Sequence, residues 1–145
     1  MKVDMEFSLS GGEQFGAEKP LVLVVDDNED NLLLLAFLVE QLNCRIITAA
    51  EGKTALDLAQ TYLPSLILLD MMLPDLDGIT VLSRLKQNPL TAQTPIIAVT
   101  AMARGEDRER ILAAGCDEYV TKPYIIDDLE ALLRRYLTRG VRDEG

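Results

Sequence analysis

Two of the most apolar stretches of this sequence end in acidic residues. The stretch LVLVV is followed directly by Asp26 and Asp27, and the stretch LILL is followed by Asp70. A carboxylate beside buried apolar residues is costly unless it is paired or binds a metal ion. The placement of these three acids therefore indicates a site that gathers carboxylates rather than a scattered acidic surface.

Two further polar side chains follow apolar stretches in the same way. Thr100 comes after IIAV, and Lys122 comes after YVT. If these stretches are parallel strands of one sheet, all five polar residues lie at its carboxyl edge, where open α/β folds bind ligands. Clustered carboxylates repel one another and need a divalent cation, and their hard oxygens favour magnesium or calcium. Because such a site offers few protein oxygens and room for water and phosphate, the expected cofactor is Mg²⁺.

A carboxylate, a metal ion, a lysine and a hydroxyl together are typical of a phosphoryl-binding site. The cation and Lys122 would offset the charge of the phosphoryl oxygens, and a carboxylate can be the nucleophile. Each residue alone has a simpler interpretation, because an Asp after a strand usually caps a turn or helix and a lone lysine is ordinarily solvated. Their joint occurrence at the ends of different predicted strands favours the functional interpretation.

The elements that must position these residues alternate regularly along the chain. Five short apolar runs are predicted as strands, over Leu21–Val25, Arg45–Ala49, Leu66–Leu69, Ile96–Val99 and Glu118–Thr121. Helical spacing of apolar residues predicts five helices, over Asp30–Leu42, Gly52–Tyr62, Ile79–Lys86, Glu106–Ala114 and Ile125–Leu137. Strict alternation of strands and helices indicates an α/β fold built on a parallel sheet.

The composition excludes several classes of function. The 145 residues suit one domain, and 24 acidic against 14 basic residues give a net charge of -10, which argues against binding to nucleic acid or anionic membranes. No apolar run approaches the ~20 residues of a membrane span, and no signal peptide is recognisable. The cysteines, Cys44 and Cys116, lack CxxC spacing and are expected to be free thiols. We therefore expect a cytoplasmic protein with neither nucleic-acid nor membrane partners.

The two ends of the chain differ from the region between them. In residues 1–20, apolar and polar side chains alternate over Val3–Leu9, a period typical of a strand, and a mobile tail and a docked strand both remain open. Residues 21–138 are predicted as the folded domain and residues 139–145 as a C-terminal tail. The arginines near the end are predicted to form a solvated face that complements the helix dipole, rather than a DNA contact; they are Arg134, Arg135, Arg139 and Arg142.

The motifs VVDDNED, LLDMMLPDLDG, VTA and YVTKP, in this order and spacing, resemble the receiver domain of two-component response regulators. The resemblance extends over about Leu21–Leu137. It implies a flavodoxin-like, doubly wound fold with five helices and a five-stranded parallel sheet of order 2-1-3-4-5. Because only residues 138–145 follow the last predicted helix, we expect a stand-alone receiver, which binds partners or passes the phosphoryl group onward.

The resemblance also implies how the acids act. Asp70 resembles the aspartate that accepts a phosphoryl group from a phosphohistidine, on a histidine kinase or a histidine phosphotransfer protein. Asp27, Asp70 and the backbone carbonyl of Met72 resemble the direct Mg²⁺ ligands, and Asp26 would act through water. The chain is then not a conventional enzyme but a signalling module with self-phosphorylation and slow self-dephosphorylation activity.

The remaining site residues resemble the groups that sense the phosphoryl group. Lys122, Thr100 and the backbone N–H of Ala101 would contact its oxygens. Thr100 would move toward it, and Tyr119, at the switch-aromatic position, would turn inward. This change would remodel the surface made by the last two helices and the last strand, which would bind a downstream protein partner or a second copy in a homodimer.

The residues two past the acceptor and two past the switch threonine border the approach of water in this family. Here they are Met72 and Met102. Both are apolar and flexible, and neither offers a strong hydrogen-bonding group to hold a water molecule. We therefore expect slow self-dephosphorylation.

Three other classes fit the sequence less well. A phosphatase of the haloacid dehalogenase type uses the same groups, but its DxDxT/V motif after the first strand is replaced here by DDNED. A flavodoxin would need a hydroxyl-rich phosphate loop at that place. An interaction protein that is never phosphorylated would not require Asp27, Asp70, Thr100 and Lys122 together.

Overall fold

The computed structural model describes residues 19–101 and 105–144, over which five strands alternate with five helices. The strands are β1 (Leu21–Val25), β2 (Arg45–Ala49), β3 (Leu66–Asp70), β4 (Ile96–Thr100) and β5 (Glu118–Thr121). The helices are α1 (Glu29–Gln41), α2 (Gly52–Tyr62), α3 (Gly78–Gln87), α4 (Gly105–Ala113) and α5 (Ile126–Glu144). No helix in these ranges is long and apolar enough to cross a membrane.

The five strands form one parallel sheet in the order β2-β1-β3-β4-β5, which confirms the predicted order 2-1-3-4-5. Val25 pairs with Leu69 across β1 and β3, and Asp70 pairs with Val99 across β3 and β4. This register brings the carboxyl ends of the three central strands to nearly the same level. Polar residues at those ends therefore lie side by side at one edge of the sheet.

The sheet is covered on both faces, and its pleat divides the apolar side chains between them. Leu23 and Val25 belong to a buried cluster with residues of α2, α3 and α4, whereas Val22 and Val24 pack with residues of α1 and α5. All residues of β1, β3 and β4 are buried. Near-continuous Val, Leu and Ile runs are typical of such doubly covered parallel strands. The three central strands, which carry Asp70 and Thr100 and precede Asp26, are thus anchored in the core.

The predicted boundaries agree with the structure to within one residue except at the last helix. Asp70 and Thr100 each extend a predicted strand by one residue, since both continue the pairing of the sheet. The predicted end of the last helix at Leu137 is wrong, because α5 continues to Glu144. Residues 139–144, predicted as a tail, are helical; they contain no proline, the residue that most strongly ends a helix.

Two sequence-based expectations fall on residues outside the described ranges. One is the strand over Val3–Leu9, and the other is the placement of Met102 near the switch threonine. The division of the chain into residues 1–20, 21–138 and 139–145 otherwise stays a prediction.

Candidate functional site

The predicted acidic residues converge in a cleft at the carboxyl edge of the sheet. Asp26 follows β1, Asp70 is the last residue of β3, and Lys122 follows β5. The cleft has a volume of about 620 Å³, and its lining includes Asp26, Asp27, Asp70, Met72, Ala101 and Lys122. The cleft therefore brings together the residues that the sequence assigned to metal and phosphoryl binding, except that Thr100, the last residue of β4, is fully buried and is not part of the lining.

Carboxylate oxygens of Asp26, Asp27 and Asp70 lie within 4.8 Å of one another. Asp26 and Asp70 are buried, with 1% and 3% of their surface exposed, whereas Asp27 is exposed. Oxygen ligands of this hardness and number suit Mg²⁺, which keeps several water ligands and takes few from protein. The donor set therefore fits the cofactor that the sequence predicts.

The ammonium of Lys122 bridges the two buried acids. Its Nζ donates to Oδ2 of Asp70 at 2.9 Å and to Oδ2 of Asp26 at 3.5 Å. Burial favours the neutral form of the lysine, but the two carboxylates outweigh this effect and raise the pKa of Lys122. As long as the carboxylates are ionised, the contribution of the charged lysine to stability is therefore fully present below the ordinary lysine pKa of 10.5, and it is lost as the pH rises through the raised pKa.

Burial is also the main influence on Asp70. It raises the pKa of the Asp70 carboxyl, and the neighbouring charge of Asp26 acts in the same direction. The backbone N–H of Met72 donates to Oδ1 of Asp70 at 2.9 Å and, with Lys122, partly opposes this rise. The Met72 N–H and the Lys122 ammonium therefore hold the partly desolvated Asp70 carboxylate in a fixed position.

Two asparagines that sequence reasoning missed hold Asp26 in place. The backbone N–H of Asn28 donates to Oδ1 of Asp26 at 2.9 Å, and Nδ2 of Asn31 donates to Oδ2 at 3.2 Å. Asn28 is also the N-cap of α1, where its side chain accepts the Asn31 backbone N–H. An Asn directly before a helical pattern is a recognisable cap signal, so the sequence contained the clue to Asn28.

The segment after Asp70, the predicted acceptor, forms a loop over residues 71–77 between β3 and α3, which we call the acceptor loop. The backbone N–H of Gly78 donates to the carbonyl of Met71 at 3.2 Å. A Cβ atom at Gly78 would lie 2.4 Å from the Met71 Cα, so only glycine permits this close approach. Met72, the predicted carbonyl ligand, lines the cleft, and 59% of its surface is exposed.

The predicted switch residues lie on adjacent strands. Thr100 is fully buried, and its carbonyl accepts the backbone N–H of Lys122 at 2.8 Å. Tyr119 lies on β5, where the guanidinium carbon of Arg108 stands 5.2 Å from the centre of its ring. Tyr119 also lines a second cavity of about 680 Å³ between β5 and α5. Tyr119 thus lies on the strand next to β4, where it pairs with Ala98, and borders an outer cavity.

The two cysteines are free, as the sequence predicts, and lie away from the cleft lining. Burial raises the pKa of the Cys44 thiol above its ordinary value. Burial, together with the charges of Asp117 and Glu118, raises the pKa of Cys116 to about 11. Neither thiol is therefore appreciably ionised at neutral pH.

A doubly wound sheet with clustered aspartates and a lysine at its carboxyl edge defines a receiver-like domain. Comparisons with known proteins agree with this. The sequence model of the response regulator receiver domain family matches residues 22–134. The polar-differentiation response regulator DivK of Brucella anthropi is 39% identical over 116 residues, which are 80% of this chain and 94% of that protein.

Solved structures give the same result. A CheY-like receiver domain protein from Methanospirillum hungatei has a TM-score of 0.80 at 27% identity, covering 88% of this chain and all of that one. The receiver domain of the sensor histidine kinase PA1611 from Pseudomonas aeruginosa has a TM-score of 0.76 at 32% identity, covering 83% of this chain and 98% of that one. That structure has a magnesium ion coordinated in its active-site cleft.

The chain belongs to the response regulator receiver domain family and is a signalling module of two-component systems. Phosphorylation, Mg²⁺ binding in an acidic pocket and histidine kinase-type partners are general properties of this family.

Proposed function

We propose that this protein accepts a phosphoryl group on Asp70 from a phosphohistidine donor, with Mg²⁺, and thereby changes its partner binding or relays the group. One observation carries the proposal. The buried Asp70 carboxylate lies within 2.9 Å of the Lys122 ammonium and in a cluster with Asp26 and Asp27, at the end of a core strand. These are the charges that an incoming phosphoryl group requires around its acceptor.

The predicted site residues would each have a part in the transfer. An Asp70 oxygen attacks phosphorus, the bond from phosphorus to the donor nitrogen breaks, and its electron pair stays on the donor imidazole. Asp27, Asp70 and the Met72 carbonyl would hold Mg²⁺ directly and Asp26 through water, and the ion would supply positive charge to the phosphoryl oxygens. Lys122 and the Ala101 backbone N–H would contact those oxygens.

The output would be a change of surface. A phosphoryl group adds up to about two negative charges, toward which the Thr100 hydroxyl would turn, so that Tyr119 could move inward. The outer cavity beside Tyr119 lies on the surface that would change, and its lining includes Tyr124, Ile125 and Arg135. A downstream protein, or a second copy of the chain, would bind this surface.

We propose that the phosphohistidine donor is a histidine kinase or a histidine phosphotransfer protein in the cytoplasm. A phosphotransfer profile of the purified chain against the kinases and phosphotransfer proteins of its host would identify the donor. Rapid transfer from one of them, with the others much slower, is the expected result.

The substitution Asp70→Asn tests the proposal directly. It preserves the shape of the side chain but removes the nucleophile and one ligand charge, so labelling by acetyl phosphate in Mg²⁺ is expected to vanish. Asp57→Asn is the matched control, because Asp57 is an exposed acid on α2 outside the cleft lining, and its label should equal that of the wild type. Undiminished, base-labile label on the Asp70→Asn variant would place the acceptor elsewhere.

A further inference from the structure

The N-terminus of α2 is capped by a residue from another part of the chain. Its own N-cap, Glu51, makes no side-chain capping bond. Instead, Oδ1 of Asp75 accepts the backbone N–H of Gly52 at 2.7 Å, and Oδ2 accepts that of Lys53 at 3.0 Å. One carboxylate thus satisfies two helix amides that would otherwise lack a partner in the helix.

Asp75 lies in the middle of the acceptor loop, so the same two bonds also restrain that loop. Its first part is held at the cleft, where the Met72 N–H donates to Asp70, and its end is held by the Gly78 contact with Met71. Asp75 ties the intervening part to α2, an element that takes no part in the cleft.

The start of α2 also packs closely against its neighbours beside these two hydrogen bonds. A Cβ atom at Gly52 would lie 2.8 Å from Cγ2 of Val81 and 3.0 Å from Cβ of Leu76. The start of α2 therefore fits against both the acceptor loop and α3 with no space for a side chain. Displacement of the loop relative to α2 would break the Asp75 bonds and disturb this contact.

We propose that Asp75 is a positioning residue for the metal site, which fixes the acceptor loop through α2 and thereby sets the affinity for Mg²⁺. The inference rests on the proposed function, in which the loop supplies the Met72 carbonyl as a ligand. A ligand on a restrained loop loses less conformational freedom when the ion binds, so binding is tighter. By reciprocity, Mg²⁺ favours the state in which Asp75 caps α2.

The test compares Mg²⁺ affinity, measured by NMR titration of the full chain under conditions where every variant is folded. Asp75→Ala is expected to raise the dissociation constant about tenfold, the lower end of the range for residues that orient metal ligands. Asp75→Asn keeps one acceptor oxygen, so its dissociation constant for Mg²⁺ should lie between those of Asp75→Ala and the wild type.

Two control variants distinguish a positioning effect of Asp75 from the effect of losing a negative charge and from the effect of losing a stabilising carboxylate. Asp57→Ala removes one negative charge from α2 without touching the loop. Asp117→Ala removes a carboxylate whose Oδ2 accepts the Ile96 N–H at 2.8 Å, at the opposite end of the sheet. Both should bind Mg²⁺ within twofold of the wild type.

Hydrogen exchange gives a second readout. In the wild type, saturating Mg²⁺ should slow hydrogen exchange of the Gly52 and Lys53 amides by up to about tenfold, the factor expected for the change in Mg²⁺ affinity. This slowing should be absent in Asp75→Ala. Wild-type affinity in Asp75→Ala, or the same loss in the controls, would overturn the inference while leaving the proposed function intact. A wild-type chain that binds no Mg²⁺ in the cleft would overturn both.

Discussion

The Lys122 ammonium acts as a counter-ion for two buried acids, and its removal should reveal how much charge the cleft holds. In Lys122→Met the side chain keeps most of its length but loses its charge. At distances of 2.9 and 3.5 Å, attraction to Asp70 and Asp26 is about 6 and about 5 kcal/mol at an effective dielectric constant of about 20. Much of this is offset by desolvation of the three groups.

The net effect on stability is smaller than these gross energies. Loss of one partner from a buried ion pair typically costs about 3–5 kcal/mol. Because the Lys122 side chain is 25% exposed and water reaches the cleft, we expect a decrease of about 2–3 kcal/mol in the free energy of unfolding without metal. Mg²⁺ should recover most of it, since the cation then neutralises the same carboxylates and no ammonium competes with it.

Urea unfolding followed by circular dichroism measures the loss of unfolding free energy when a chelator is present and its recovery when Mg²⁺ is present. Lys86→Met is the matched control: Lys86 donates to the carbonyls of Ala92 and Thr94 and pairs with Asp117 at the other end of the sheet. It should also lose stability, but Mg²⁺ should stabilise it only as much as the wild type. If Mg²⁺ stabilised Lys122→Met no more than the wild type, the assignment of Lys122 as counter-ion would be wrong.

Three further predictions concern the switch, the lifetime and the acceptor loop. Beryllofluoride with Mg²⁺ should shift NMR signals of Tyr119 and of the last two helices, and shifts confined to the cleft would contradict the proposed switch. The phosphoryl group should persist well beyond seconds, and a Met72→Asn, Met102→Glu double variant should lose it faster; equal or slower loss in that variant would contradict the role of the two methionines. The amides of Lys53 and Gly52 hold the pKa of Asp75 below its ordinary value of 3.8. Ionised Asp75 therefore stabilises the fold fully above that value, and this stabilisation is lost as the pH falls through the lowered pKa. The difference in unfolding free energy between wild type and Asp75→Asn should accordingly be largest near neutral pH, and a difference that does not change with pH would refute this.

The sheet and the location of the cleft could be predicted because they depend on patterns that are local in sequence. The runs that became β1, β3 and β4 are apolar throughout, as required of strands covered on both faces. The acids stand at the ends of such runs and Lys122 directly follows β5, so the shared direction of the strands brings them to one edge.

Interactions between distant loops could not be predicted in the same way. Asp75 and Gly52 are 23 positions apart, and their contact depends on how α2 and α3 pack. The sequence showed Asp75 only as part of the motif PDLDG and gave no indication of its partner. The true end of α5 was missed for a different reason, since a weakly apolar stretch lacks the periodicity that marks a buried helix face.

The raised pKa values of Cys44 and Cys116 have a practical consequence for studying this protein. Maleimides and similar probes react with the thiolate form of cysteine. The raised pKa values keep both native thiols protonated at neutral pH. A cysteine introduced at an exposed position of α1, such as Phe37, would therefore react well ahead of the two native thiols. Distances between such a label and the cleft could then be followed through a phosphorylation cycle in a chain that keeps all its native cysteines.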